Sequence, residues 1–416
     1  MKQSELFYKT QKEAPKEAET ISHQLLLRGG FVDQVTSGVY SFLPLGYKVQ
    51  LNIAQIIREE MQAIGGQELF LPVLQPRNIW EQTDRWEHMD PPLFKLKDRH
   101  EKDLALGPTH EEVITQLVAK NINSYRDLPI YLFQIQTKFR NEMRSSGGLL
   151  RTREFLMKDL YSFHTDLEDF SQYYKKVANA YFKIFKRCDL SAIMVEASGL
   201  GFTNDFTHEF QVLTPAGEDT VIFCPKCKFA RNKEICELKE GDKCPKCSGI
   251  LKLQRGIEVG NIFPLGEKYA KAFDLYFSDK DGNKKLVIMG CYGIGVGRLI
   301  STVIELNHDD KGIIWPKEVA PFKVHLVALD MENKKVKSFA DKIYQDLQKL
   351  GTEVLYDDRL AVSAGQKLAE SDLLGMPIRL LVSQKTIAKN KIELKYRNKK
   401  AEELISLSKI KSIVKI

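Results

Sequence analysis

Residues 131–140 alternate in character: Tyr131, Phe133, Ile135 and Phe139 fall on one side, and Gln134, Gln136, Lys138 and Arg140 on the other. A period of two is the mark of a β-strand with unlike faces. The polar stretch 141–152, with Gly147-Gly148 inside it, leads to a second run at 153–161, so the pair predicts an antiparallel hairpin. Its one greasy face is ordinary. Its other face carries amides and cations, and Arg140, Glu142, Arg144, Arg151 and Arg153 crowd the same hairpin. A polar strand face commonly meets solvent, but solvent alone explains that density of arginine poorly.

Elsewhere the elements are simpler. In 45–64, Val49, Ile53, Ile56, Ile57 and Met61 recur at three- and four-residue spacing, which predicts a helix ended by Gly65-Gly66. A strand over 68–74, closed by Pro76, should come next; its apolar stripe suits either core or a dimer contact. A short strand at 285–289 runs into glycines 290, 293, 295 and 297, then Arg298 and a helix over 299–306. The glycine spacing is not the dinucleotide fingerprint. It reads as a tight strand-to-helix turn, and an arginine at the helix start makes it a phosphate-site candidate. After Trp315-Pro316 and Pro321 the pattern becomes strand 323–329, helix 334–350, strand 353–356, helix 364–374 and strand 379–382. That alternation predicts a small α/β domain with a mostly parallel sheet.

Length allows two or three domains among 416 residues, at roughly 150 each. Sixty-two basic and fifty-five acidic residues leave +7. All of it comes from 321–416, which holds nineteen Lys/Arg against twelve Asp/Glu. A basic terminal unit suggests a polyanion such as RNA, or else a solvated lysine-rich surface. No apolar run approaches eighteen residues, which argues against a membrane span. The first twenty residues, with Glu5, Glu13, Glu17 and Glu19, lack a signal core. A soluble cytoplasmic protein is therefore expected. Seven cysteines, an odd number, argue against a disulfide framework. Four of them form two Cys-Pro-Lys-Cys knuckles, Cys224/Cys227 and Cys244/Cys247, separated by sixteen residues. That spacing can present four thiolates to a structural zinc, or be a reduced, metal-free remnant. Cys236 between them reads as a bystander.

Taken together, these motifs resemble a class II aminoacyl-tRNA synthetase, specifically the bacterial-type prolyl-tRNA synthetases, over nearly the whole chain. Ser37-Gly-Val-Tyr-Ser-Phe-Leu-Pro-Leu-Gly46, with its helix and Pro-containing strand (about 37–76), resembles the family's first motif, which builds a dimer interface. Leu106-Gly-Pro-Thr-His-Glu-Glu112 resembles the loop that holds the amino acid. Phe139-Arg-Asn-Glu142 with Arg153-Glu-Phe-Leu-Met-Lys-Asp159 and Tyr161-Ser-Phe-His164, about 131–164, resembles motif two. Gly290 to Arg298, within about 286–306, resembles motif three. Tyr356-Asp-Asp-Arg359 and Asp372-Leu-Leu-Gly-Met-Pro377 resemble the anticodon-binding domain.

The resemblance implies an α+β fold. A class II antiparallel-sheet catalytic domain with flanking helices should occupy 1–320, a small zinc-knuckle-like insert 222–250, and an α/β anticodon-binding domain 321–416. It implies a homodimer that activates L-proline with ATP and Mg2+ to prolyl-adenylate and transfers the prolyl group to tRNA(Pro). By match, Arg140 should hold the α-phosphate and the proline carboxylate, and Arg298 the γ-phosphate; these are the expected catalytic pair. Glu142 and Arg151 should frame ATP, and Phe155 should stack on adenine. Thr109 and Glu111 should meet the proline ammonium, with Met157, His208 and Cys291 as wall and rim. Arginines suit such roles because they stay charged and grip oxygens bidentately.

Several residues depart from the family pattern. The motif-two loop usually reads Arg-Pro-Arg-Phe-Gly and is here Arg144-Ser-Ser-Gly-Gly148, so one cation is missing. Before His208 a Gly-Gly-Ser run is replaced by Thr203-Asn-Asp205, and Gly297 stands where serine is common. The family's bacterial members usually carry a large editing domain between motifs two and three. Here that interval holds only the paired cysteines, which predicts no cis hydrolysis of alanyl-tRNA(Pro). The alternatives are a threonyl-like class II synthetase, or a catalytically dead RNA-binding paralogue.

Overall fold

The computed structural model describes residues 1–199 and 207–414. The chain forms two compact units. One comprises Thr36–Val39 and Ala54–Thr302; the other comprises Met1–Val35, Tyr40–Ile53 and the chain from Val303 onward. Helix α1 (Pro44–Ala63) starts on a proline, whose missing N–H costs nothing in a first turn. Its expected stripe of Val49, Ile53, Ile56, Ile57 and Met61 is buried throughout.

The first unit is built on a nine-stranded sheet. Its strands in chain order are β1 (Gln67–Glu68), β2 (Ile130–Phe139), β3 (Glu154–His164), β4 (Ala192–Ala197), β5 (Thr207–Leu213), β6 (Asp219–Phe223), β7 (Ala230–Asn232), β8 (Lys252–Gly266) and β9 (Ile288–Gly295). They lie side by side as β5-β4-β7-β6-β8-β9-β3-β2-β1, and β5 also pairs with β8. The hairpin is long and regular: Ile130 faces Phe163 and Phe139 faces Glu154. Its polar face is the covered one, with Gln134, Gln136 and Lys138 all buried.

Two expected elements differ. The strand over 68–74 is broken, because Pro72 has no N–H to give a ladder. Instead Gln134 Oε1 accepts from the Leu71 N–H at 3.0 Å, and Gln136 Nε2 donates to the Leu71 carbonyl at 3.1 Å. Leu74–Pro76 joins a separate sheet with Asp103–Leu106 and Phe94–Lys97. The glycines at 290, 293 and 295 are not a turn but part of strand β9, and helix α4 (Val296–Leu306) opens directly after it. Gly293 and Gly295 leave an opening on the sheet: a Cβ on Gly293 would meet only Met157 Sδ, at 3.9 Å.

Helix α2 (Glu111–Ala119) and helix α3 (Leu167–Arg187) are the longer helices that follow α1 in this unit, beside the short helices Arg77–Gln82, Arg85–His88 and Lys268–Ala272. Asp166 caps α3 by accepting from the Asp169 N–H, and Phe170, Tyr173, Val177, Tyr181, Ile184 and Phe185 form its buried face. Tyr181 and Phe185 press so closely on Gly260 that a Cβ there would lie 3.0 and 3.2 Å from their rings. Lys158 is buried beneath the sheet and donates to the Tyr292 carbonyl at 3.0 Å. Burial pushes its ammonium down to about 7.

In the second unit, β10 (Val324–Ala328), α5 (Lys334–Lys349), β11 (Val354–Asp357), α6 (Ala364–Leu374) and β12 (Ile378–Val382) come in the expected order. Two strands were not foreseen, β13 (Ile392–Tyr396) and β14 (Glu402–Ile405). The sheet order is β11-β10-β12-β13-β14, parallel across the first three and antiparallel across the last two, so it is mixed rather than mostly parallel. The late strands escape notice because Lys391, Lys395, Lys399 and Lys400 obscure their alternation. Gly375 ends α6 at φ 74°, where a Cβ would strike the Ile313 carbonyl oxygen at 2.1 Å.

Arg397, 5% exposed at its side chain, is gripped by both oxygens of Asp309 at 2.7 and 2.6 Å. Those hydrogen bonds hold the Asp309 carboxyl down at about 2. An ordinary Asp titrates near 3.9 when unfolded, so the pair's stabilisation is present above that pH and is lost as pH falls towards 2. Asp309→Asn should destabilise this unit by about 1–2 kcal/mol at neutral pH, discounting for partial exposure. In urea titrations the gap from the parent should close between pH 4 and 2.

Candidate active site

A cavity of about 1040 Å³ opens in the first unit above β3, β8 and β9. Thr109, Glu111, Arg140, Glu142, Arg151, Phe155, Met157, Cys291 and Arg298 all line it. Nine of the ten expected site residues, drawn from 190 residues of chain, therefore share one space. The strand register brings them together: Met157 on β3 faces Gly295 on β9, and Cys291 on β9 faces Phe263 on β8. The tenth, His208, does not line the cavity. It sits on β5 with Nδ1 2.9 Å from the Tyr174 hydroxyl. Residues 203–205 before it lie outside the described residues.

The two arginines have different surroundings. Arg298 is held in place: Nε donates to the Leu150 carbonyl at 2.9 Å, Nη1 to Glu258 Oε2 at 2.9 Å, and Nη2 lies 3.7 Å from Glu218. Burial pulls its pKa down, but Glu258 and Glu218 outweigh that and raise it. Arg140 stacks its guanidinium over Phe155 at 5.3 Å, and its buried Nε has no hydrogen-bond partner among the described residues. Burial lowers its pKa, opposed chiefly by Glu258. A buried guanidinium nitrogen left unpaired is costly unless an anion completes it. Beside it, Arg151 Nε donates to Glu142 at 3.1 Å. The loop beyond carries Met143, 92% exposed, and bends at Gly147 and Gly148 with φ of 62° and 67°. A Cβ on Gly297 would meet Leu149 Cβ at an ordinary 3.7 Å, so the backbone there also admits the more common serine.

At the other end the cavity becomes acidic. Thr109 Oγ1 lies 2.7 and 2.6 Å from the two Glu111 oxygens, and Cys291 Sγ donates to Glu111 at 3.1 Å. Burial drives the Cys291 thiol well up, so it stays a neutral wall. Tyr161 fixes this loop: its hydroxyl accepts from the His110 N–H at 3.0 Å and donates to Asp159 at 2.9 Å. Below it, Lys138 pairs with Asp159 at 2.8 Å and reaches His110 Nδ1 at 2.6 Å. Burial holds His110 down at about 4, so it is neutral; its Nε2 faces the Pro72 carbonyl at 3.0 Å and Nδ1 accepts from Lys138. The site thus presents cations at one end and a carboxylate with a hydroxyl at the other.

Sequence reasoning did not foresee Glu258, Asn261 and Asp159, which also line the cavity, or the Lys138–His110 pair. Glu258 stands alone in the apolar run Ile257-Glu-Val-Gly260, a signal that could have drawn attention. The others needed the register.

Outside the cavity, the four knuckle cysteines bring their sulfurs within 4.8 Å of one another. Cys224 and Cys247 are 3.5 Å apart, and Cys227 and Cys244 3.6 Å. Zinc held tetrahedrally by thiolates at about 2.3 Å needs sulfurs about 3.8 Å apart. Burial opposes ionisation of Cys224, yet the Lys226 N–H, the Cys247 thiol and the Cys227 N–H outweigh it and bring the thiol down to about 7. Gly249 leaves room beside them, for a Cβ there would lie 3.0 Å from Cys224 Sγ.

Comparison with known proteins decides the family. Residues 94–307 match the tRNA synthetase class II core domain (G, H, P, S and T), and 323–415 match an anticodon binding domain. The proline–tRNA ligase of Dehalococcoides mccartyi is 36% identical over 556 aligned positions, spanning 99% of this chain and 98% of that one. The chain belongs to the proline–tRNA ligase family. This places it apart from the threonyl-like alternative. The prolyl-tRNA synthetase of Giardia lamblia in complex with prolyl-adenylate shares the fold, with a TM-score of 0.78, 22% identity, and coverage of 93% of this chain and 74% of that one. So does that of Cryptosporidium parvum complexed with halofuginone and AMPPNP, at 0.79, 20%, 96% and 78%. The 556 positions aligned with the bacterial relative against 416 residues here leave at least 140 where this chain has none. Among the described residues, no helix is long and apolar enough to cross a membrane.

Proposed function

We propose that the chain activates L-proline with ATP and transfers the prolyl group to the 3′ end of tRNA(Pro), working in the cytoplasm. The observation that carries this is the meeting of Arg140 and Arg298 in one cavity with the Thr109–Glu111 pocket. The proline carboxylate oxygen attacks the α-phosphorus and pyrophosphate departs. A hydroxyl of the terminal adenosine then attacks the acyl carbon and AMP departs. Arg140 bridges carboxylate and α-phosphate, and Arg298 holds the γ-phosphate. Arg151 and Glu142 border ATP, and Phe155 stacks on its adenine. Glu111, with Thr109, accepts from the proline ammonium, while Met157 and Cys291 wall the ring. No side-chain nucleophile is required; positioning and fixed charge supply the rate. Mg2+ bound with ATP would offset phosphate charge, and Glu142 and Glu258, which line the cavity, would offer it hard oxygen donors.

The same reading assigns catalysis to 1–320 and anticodon binding to 321–416, where the net positive charge lies. It assigns the first motif, 37–76, to a homodimer contact, and a structural zinc to Cys224, Cys227, Cys244 and Cys247 within the insert 222–250. Aminoacylation of a tRNA(Pro) transcript tests it: labelled proline should be esterified, threonine should not, and failure with proline would overturn it.

The missing 140 positions support a second expectation. An apolar pocket discriminates by only about 1–3 kcal/mol per missing methylene, and alanine lacks two of proline's ring methylenes, so about 2–6 kcal/mol separates the two. Alanine should therefore be charged at a low level and not cleared by this chain. Preformed alanyl-tRNA(Pro) should decay at its spontaneous rate with the protein present, and rapid hydrolysis would refute the expectation.

A further inference from the structure

Behind Glu111 lies a buried ionic group that the proposed chemistry leaves unused. Arg85, 5% exposed, places a single nitrogen, Nη1, 2.9 Å from Glu112 Oε1, 2.9 Å from the Tyr269 hydroxyl and 3.3 Å from Glu111 Oε2. Thr83 donates to the same Glu112 oxygen at 2.8 Å, while Glu112 Oε2 is buried with no hydrogen-bond partner among the described residues. Glu111 lines the cavity; Arg85 and Glu112 do not. Of the other cations near the group, Lys138 is paired with Asp159 at 2.8 Å, and Lys268 lies over the Tyr269 ring, where burial and Arg85 push its pKa down.

The charge count explains the arrangement. With Arg85 paired to Glu111 alone, an incoming secondary ammonium would share one carboxylate with a guanidinium, leaving a buried positive charge unbalanced. Such a charge is expensive away from water. With Glu112 present, two cations meet two carboxylates. Burial pushes the Glu112 carboxyl up, and the adjacent Arg85 guanidinium opposes it.

We infer that Glu112 is a positioning residue for imino-acid recognition: as the counter-ion of Arg85, it leaves Glu111 available to the substrate's ammonium. This rests on the proposed imino-acid site at Glu111. The test is proline-dependent ATP–pyrophosphate exchange with the full chain, comparing Glu111→Gln, the near-isosteric Glu112→Gln, and Arg85→Gln combined with Glu112→Gln. An ammonium-free competitor, oxolane-2-carboxylate, keeps the ring and the carboxylate but has an uncharged ring oxygen where proline has its charged nitrogen. Glu112→Gln should raise the KM for proline on the order of tenfold or more. The KM for ATP and inhibition by the ammonium-free competitor should stay within about twofold. The double variant, which restores one carboxylate against one ammonium, should regain most of the proline affinity. The inference is overturned if Glu112→Gln leaves the proline KM unchanged while Glu111→Gln raises it. It is equally overturned if proline and the ammonium-free competitor weaken together, since that is a loss of shape and not of the ammonium's charge pairing. If Glu111→Gln itself leaves the proline KM unchanged, the imino-acid site is misplaced and the inference falls with it.

Discussion

Arg140→Ala is expected to slow proline-dependent pyrophosphate exchange by roughly a hundred- to a thousandfold, about 3 kcal/mol of transition-state stabilisation. Charge gathers on the α-phosphate as the carboxylate attacks, and Arg140 is the cation here whose buried Nε has no protein partner to give up among the described residues. Arg298, by contrast, already serves Glu258 and the Leu150 carbonyl. The loss should therefore be in kcat more than in stability, and the thermal midpoint should move little, because alanine leaves no orphaned carboxylate. Arg140→Lys should recover only a small part, since an ammonium cannot grip two oxygens in a plane or stack on Phe155 as a guanidinium does. A variant that keeps exchange within about threefold would remove the phosphate assignment from Arg140.

The second large effect concerns the cysteine knuckles. The purified chain should carry about one zinc per molecule, and Cys224→Ser should abolish it. Structural zinc in small peptides contributes on the order of 10–16 kcal/mol at neutral pH, most of it folding energy. Around the sulfurs, Ile222, Phe229, Cys236 and Leu251, with Leu238 against them, make a modest buried cluster, so residues 222–250 should become protease-sensitive when the metal is lost. Exchange should fall less than in Arg140→Ala, since none of the four cysteines lines the cavity. Some loss is expected, because β6 and β8, which flank the knuckles, lead to Glu218 and Glu258, the two carboxylates against Arg298. A metal-free parent with an intact, protease-resistant insert would refute the zinc assignment.

Much of this was legible in the chain. The period of two across 131–140 marked the first strand of the hairpin to within a residue, though the second runs to His164, three residues past its expected end; the buried stripe of α1 and the order of elements from β10 to β12 were equally plain. What could not be read were features set by partners distant in sequence. Gln134 and Gln136 replace a strand ladder at Leu71, which no local pattern announces. The glycines of β9 look like a turn until the register sets Gly293 and Gly295 against β3, where their missing side chains open the cavity. Motif matching placed nine site residues in the cavity because long motifs carry their own geometry. His208 stands apart from the cavity: it is fixed by Tyr174, and the chain just before it lies outside the described residues. Arg85 and Glu112 were invisible as a pair, since nothing in the sequence says which of two adjacent glutamates a distant arginine will favour.

The most direct measurement is ATP–pyrophosphate exchange by the purified chain, without tRNA, across the twenty standard amino acids. Exchange should be strong with proline, weak but detectable with alanine, and at background with threonine, and it should vanish in Arg140→Ala. Exchange driven by another amino acid, or none with proline while the parent is folded and binds ATP, would contradict the account.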